Sequence, residues 1–187
     1  TATVNSIHVR ECYDEKGING DDKRLQTRSA NHDWCRRLDD QMTGVLQALG
    51  HLRTSERHKG VEKKLHKMRA LLSLERAGYD DTATEAQEGD QKPHTDEPTD
   101  KLRKMADVDK PLSVFYAIEG STRIRIKPLD GEWMTIHLKP GDMLVFRGDV
   151  CHCGLGYGSV NHRVHAYVYP PGYSSPSSLH PCPDELG

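Results

Sequence analysis

The chain has 187 residues, a formal net charge of -2, 35% hydrophobic and 29% charged residues, and a mean hydropathy of -0.75. This length suits one domain of ordinary size with an extension, and the near-neutral balance argues neither for nor against a polyanionic partner of the molecule as a whole. No run of about 18 apolar residues occurs, so no membrane-spanning helix is expected.

Residues 1–10 lack the apolar core of a signal peptide, and the start reads as trimmed, so localisation stays open. Five cysteines, Cys12, Cys35, Cys151, Cys153 and Cys182, are an odd number without a regular framework. That leans toward a reducing, intracellular setting while leaving a Cys12–Cys35 bridge open.

The chain changes character near residue 80. Residues 1–80 read as a helical N-terminal region, and 81–187 as a β-rich core. From Asn31 to Leu52, Trp34, Leu38, Met42, Val45, Leu46 and Leu49 recur at three- and four-residue spacing, the apolar face of a helix. A second helix is predicted from Gly60 to Ala77, with Val61, Leu65, Met68, Leu71, Leu72 and Leu74 on its apolar side. Residues 53–76 are basic, with Arg53, Arg57, Lys59, Lys63, Lys64, Lys67, Arg69 and Arg76 against few acids. A solvated helix face is the plain reading, and a nucleic-acid surface the sharper one.

Residues 80–100 reverse the sign, carrying Asp80, Asp81, Glu85, Glu88, Asp90, Asp96, Glu97 and Asp100 on a stretch without periodicity. A loop this long inside a compact domain is usually functional or disordered. From Pro111 onward, short β-branched and aromatic runs alternate with turns: Leu112–Ile118, Arg123–Ile126, Trp133–Leu138, Met143–Phe146 and Arg163–Tyr169. That spacing predicts a sandwich or barrel of short strands.

The candidate chemistry lies in four residues. His94 and Asp96 sit two apart, so in extended backbone both side chains point the same way and can converge on one ion. His152 follows the strand Met143–Phe146 and offers a third ligand from elsewhere in the barrel. Two imidazoles and one carboxylate on one face of an iron leave open positions for oxygen and a second ligand. Arg163 comes eleven residues after His152. A guanidinium buried in a barrel needs a carboxylate partner, which a dicarboxylate co-substrate would provide in bidentate fashion. Arg163, His165, Tyr167 and Tyr169 share one face of the last strand.

The order His94-Thr95-Asp96, His152, Arg163 resembles the Fe(II)/2-oxoglutarate-dependent oxygenase superfamily. The likeness runs from about Gln91 to Tyr169, through Lys92 to Asp96, Leu112 to Ile118, Gly141 to Asp149 and Asn161 to Tyr167. It implies an α+β protein built on a double-stranded β-helix, a jelly-roll or cupin-like barrel. It also implies Fe(II) held by His94, Asp96 and His152, and 2-oxoglutarate held through Arg163. Members often carry Ser two residues after that arginine as a second carboxylate contact. Here His165 stands there, and Tyr116 is a further candidate contact by analogy. The implied reaction uses O2 and 2-oxoglutarate to hydroxylate or demethylate an unidentified substrate (a small molecule, a protein side chain or a nucleobase), with release of succinate and CO2.

A cupin-type metal protein without 2-oxoglutarate is the alternative. The first cupin motif would need His-x-His where this chain has His94-x-Asp96, and Arg163 would lack a role. Zinc at Cys151, His152 and Cys153 is disfavoured, because in a strand the cysteines point opposite to the histidine.

Overall fold

The structure, a computed structural model, describes residues 24–26, 33–48, 64–83, 85–170, 172–174 and 179–182. Among these residues, ten strands, two α-helices and a 3-10 turn at Asp107–Asp109 follow in chain order. The strands are β1 (Arg24–Gln26), β2 (Lys64–Ser73), β3 (His94–Thr95), β4 (Leu112–Ala117), β5 (Thr122–Lys127), β6 (Met134–Leu138), β7 (Met143–Arg147), β8 (Cys151–Gly154), β9 (Asn161–Tyr169) and β10 (His180–Pro181). The helices are α1 (Asp33–Ala48) and α2 (Thr99–Arg103).

Two five-stranded antiparallel sheets result, ordered β1-β2-β9-β4-β7 and β10-β3-β8-β5-β6. This is the α+β double-stranded β-helix expected from the sequence. Its strands come from residues with side chains for both faces. On β4, Leu112 and Val114 join a cluster with Met42 and Leu46 of α1, Leu72 of β2, and Val164, Ala166 and Val168 of β9. The alternate residues Phe115 and Ala117 pack with Ile124, Ile126, Leu138, Phe146 and Val150 between the sheets. With Val164, Ala166 and Val168 of β9 in the first cluster, the alternate β9 residues Arg163, His165 and Tyr167 fall on the inner face, toward the second sheet.

The helix predicted from 60 to 77 is not formed: residues 64–73 make strand β2, paired with β9 from Lys64↔Tyr169 to Ser73↔Asn161. The register shifts between His66 and Arg69. A shift of that kind breaks the two-residue alternation that marks a strand, which left a three- and four-residue spacing that imitates a helix. No helix face therefore exists over 64–73, and the rest of the basic stretch before it, 53–63, lies outside the described residues. The change of character near residue 80 is likewise not a sheet boundary, since β2 lies between β1 and β9.

Helix α1 matches its expected place, with Met42 and Leu46 buried, but Val45 is 47% exposed rather than on the packed face. Cys151 and Cys182 form a disulfide and Cys153 is buried, which departs from the expectation of reduced thiols. The Cys12–Cys35 pairing lies outside what the structure describes. Among the described residues no helix is long and apolar enough to cross a membrane.

The acidic stretch forms a loop pinned along its length. Asp90 accepts hydrogen bonds from the Tyr79 hydroxyl (2.6 Å) and the Gly156 amide (2.9 Å). Gln91 exchanges two bonds with Gly154, its amide donating at 2.9 Å and its side-chain oxygen accepting at 3.0 Å. Asp81 receives the buried Arg123 guanidinium at both its backbone oxygen and its carboxylate. The segment 154–158, rich in glycine, is close-packed. A Cβ added at Gly156 would lie 2.5 Å from Tyr79 Cε2. Glycine is used there for backbone approach rather than for mobility.

Candidate metal centre

His94 and His152 are register partners across β3 and β8, with ring centroids 4.4 Å apart. Asp96 follows two residues after His94, where the chain leaves β3. One ligand atom from each of the three lies within 4.8 Å of the others, and all three side chains are buried. Arrangement and donor type suit a divalent metal that takes nitrogen and carboxylate ligands.

Local backbone fixes each ring. His94 Nδ1 lies 2.8 Å from the Lys92 carbonyl and His152 Nδ1 lies 3.0 Å from the Val150 carbonyl. A carbonyl only accepts, so each Nδ1 carries the proton and each Nε2 is left with its lone pair for a metal. Phe146 meets the His152 ring edge-on at 5.0 Å. The loop bearing Asp96 is fastened by Glu97, whose amide donates to the Gly148 carbonyl at 2.9 Å. A Cβ at Gly148 would sit 2.6 Å from Glu97 Cγ, so this contact also requires glycine.

Charge states follow from burial. Burial, with His152 alongside, pushes His94 down to about 4. His152 is likewise lowered by burial, with Asp96 opposing. Both imidazoles are neutral at pH 7, the form that binds metal. Burial alone would raise Asp96, but the neighbouring His152 and His165 and hydrogen bonds including one from Ser113 outweigh it and hold the carboxyl well below its ordinary range. The Ser113 hydroxyl donates to Asp96 Oδ2 at 2.5 Å, and the Tyr167 hydroxyl donates to Oδ1 at 3.3 Å.

Arg163, on the same inner face of β9, is 1% exposed. Its Nη1 donates to Ser73 Oγ at 2.8 Å, while its Nε has no hydrogen-bond partner among the described residues. The guanidinium lies 5.3 Å from the Tyr157 ring centroid and 5.8 Å from that of Phe115. No carboxylate among the described residues pairs with it.

Two sequence expectations land elsewhere. Tyr116 packs with the α1 cluster on the opposite face of β4, so the structure does not bring it to the site. Phe115, one residue earlier, faces inward. His165 lies with its Nε2 3.4 Å from Asp96 Oδ2 rather than turned to Arg163. Of the loop residues after His152, Leu155 is buried, and Tyr157 is buried with its hydroxyl donating to the Arg123 carbonyl at 2.9 Å. Cys151 is engaged in the disulfide, consistent with its exclusion as a zinc ligand. Ser73, Ser113 and Tyr167 were not singled out as site residues. Ser73 was hidden in the stretch read as helix, and Ser113 was the one polar residue of an apolar strand.

The sequence matches no protein-family model and no curated protein. Solved structures do match in fold. A prolyl-4-hydroxylase from Pseudomonas putida superposes with a TM-score of 0.53 at 14% identity, covering 87% of this chain and 79% of that one. A Trichoplax adhaerens prolyl hydroxylase in complex with a hypoxia-inducible-factor peptide gives 0.59 at 10% identity, over 89% and 74%. SnoN, a non-haem α-ketoglutarate-dependent epimerase of nogalamycin biosynthesis, gives 0.57 at 12% identity, over 93% and 82%, and is also known with Fe3+ and α-ketoglutarate bound. Sheet order, strand pairing and these superpositions agree: the chain has the double-stranded β-helix fold found in iron- and 2-oxoglutarate-dependent enzymes.

Proposed function

We propose that the protein is an Fe(II)- and 2-oxoglutarate-dependent oxygenase that hydroxylates or demethylates a substrate at a C–H bond. His94, Asp96 and His152 would hold the iron, and Arg163 would hold the distal carboxylate of 2-oxoglutarate. With O2, that pair of cofactor and co-substrate supplies oxidative decarboxylation to succinate and CO2, coupled to oxygen transfer to the substrate.

The single observation that carries the reading is Arg163. A guanidinium buried to 1% exposure, without a carboxylate partner among the described residues, is costly unless an anion completes it. It lies one two-residue repeat, roughly 7 Å, along β9 from His165, which touches Asp96. A short diacid that meets the metal at one end therefore finds its counter-charge at the other. The residues around the site supply the remaining requirements. Backbone carbonyls present both imidazoles through Nε2, Ser113 and Tyr167 orient Asp96, and Phe115, Phe146 and Tyr157 exclude water. A cupin-type metal protein without 2-oxoglutarate would share the fold and the metal ligands but leave Arg163 uncompensated.

The test is visible absorption of oxygen-free protein given Fe(II) and 2-oxoglutarate. A weak charge-transfer band that needs both additions and vanishes in His152→Ala is the expected result. Folded, iron-loaded protein that shows no band on adding 2-oxoglutarate would remove the co-substrate assignment and favour the cupin alternative.

A further inference from the structure

His165 occupies the position from which a second co-substrate contact was expected, yet its ring addresses the other end of the site. Its Nε2 lies 3.4 Å from Asp96 Oδ2, is buried, and has no hydrogen-bond partner elsewhere. The ring has little freedom to turn away. Tyr167 lies against it with centroids 4.7 Å apart, and Phe115, its register partner on β4, meets it edge-on at 6.2 Å. Its side chain is 16% exposed.

We infer that His165 is a positioning residue for the metal-binding carboxylate, and that the contact beside Arg163 comes from Ser73 on β2 instead. The inference rests on the metal reading above and goes beyond it in assigning these two roles. A carboxylate offers about four lone-pair directions. Ser113 takes one on Oδ2 at 2.5 Å and Tyr167 one on Oδ1 at 3.3 Å. His165, with the proton on Nε2, takes a third on Oδ2, and a small tightening of the 3.4 Å approach satisfies a donor that is otherwise buried and unpaired. Ser113 and His165 together fill Oδ2, so one direction, on Oδ1, is left and Asp96 would hold a metal through a single bond. Meanwhile Arg163 Nη1 is already bonded to Ser73 Oγ, which sets a hydroxyl next to the guanidinium from a strand ninety residues earlier in the chain.

The test uses Co(II) titrated into the intact, metal-free protein without co-substrate, followed by its visible d–d bands, and then 2-oxoglutarate affinity at saturating metal. Outer contacts to metal ligands are typically worth roughly 10–100-fold in metal affinity. His165→Phe is expected to weaken Co(II) binding by that factor and to change the band shape, while 2-oxoglutarate affinity stays within about threefold. His165→Gln, whose amide N–H can still donate, is expected to restore most of the metal affinity, and it carries the comparison if the phenylalanine variant fails to fold. Ser73→Ala is expected to do the reverse, lowering 2-oxoglutarate affinity with Co(II) binding unchanged. Unaltered Co(II) affinity and bands in the His165 variants, or a loss of 2-oxoglutarate affinity from them instead, would overturn the assignment alone. Absence of Co(II) binding to the unaltered protein would overturn it together with the metal centre.

Discussion

Replacing Arg163 with methionine separates the two things a buried arginine can do. The guanidinium has one hydrogen bond, to Ser73, two aromatic neighbours in Phe115 and Tyr157, and an unpaired Nε. Losing a hydrogen bond from a charged donor costs roughly 1.5–3 kcal/mol, and losing a desolvated cation–ring contact up to about 2. Against this, exchanging buried ionic groups for apolar side chains of similar volume is often neutral or stabilising by roughly 1–4 kcal/mol. Methionine keeps much of the packing on the two rings. These terms nearly offset, so stability in urea should change by no more than about 2 kcal/mol. Binding of 2-oxoglutarate is a different matter. Removing one partner of a buried charge pair costs roughly 2–5 kcal/mol, from about 30-fold to several thousandfold in affinity. Calorimetric titration of 2-oxoglutarate into Mn(II)-loaded protein measures it. The wild-type protein should also gain about 2.7 kcal/mol of stability at a ligand concentration of one hundred times its Kd, and the variant less than about 1 kcal/mol at the same concentration. Arg163→Met protein that loses more than about 4 kcal/mol of stability yet binds 2-oxoglutarate normally would show that the arginine is a structural element and would refute the argument.

Three further expectations rest on other parts of the fold. Gly156→Ala places a Cβ 2.5 Å from the Tyr79 ring, so it should lower stability by roughly 1–3 kcal/mol and Tm by several degrees in a thermal melt. Reduction of Cys151–Cys182, or serine at both positions, opens a closed loop with a sequence separation of 31 and should cost about 3–4 kcal/mol in urea unfolding. In metal-free protein, His94 titrates near 4 when folded and near 6.5 when unfolded, so the unfolded chain takes up the proton first. Its effect on stability is therefore absent above about pH 6.5, grows as the pH falls toward 4 and levels off below, reaching roughly 3 kcal/mol. His94→Gln should flatten that part of the pH dependence; an unchanged slope would mean that His94 is not a buried neutral imidazole.

The sequence made the second half of the barrel legible because its strands are short and separated by turn residues, and because His94, Asp96 and His152 are spaced for convergence whatever the details of the sheet. Facing was harder to read. β4 is buried on both sides, so Phe115 and Tyr116 are equally plausible inward residues, and a one-residue error in phase moves every side chain to the other face. Ser113 held the missing signal. A serine has no partner against an apolar α1 cluster, so its face is the site face, and Phe115 rather than Tyr116 shares it. β2 was unreadable for a different reason: its register shift disrupts the alternation, and its place in the sheet is decided by β9, far along the chain.

These two failures meet at one strand. The inner face of β9 presents Arg163, His165 and Tyr167 in succession, and local spacing places them together without saying what each addresses. Their partners are fixed by other strands: Ser73 from the neighbouring β2 of the same sheet for the arginine, and Asp96 after β3 of the second sheet for the other two. A residue two places from a recognised arginine therefore inherits its role from what stands opposite, not from the arginine. The same geometry makes β2 part of the site. Because Ser73 touches Arg163 and β2 is the neighbour of β9, a chain cut at residue 80 would lose both the hydroxyl beside the guanidinium and the strand that covers one edge of β9. A shortened protein spanning 81–187 should consequently bind 2-oxoglutarate poorly even where His94, Asp96 and His152 are all present.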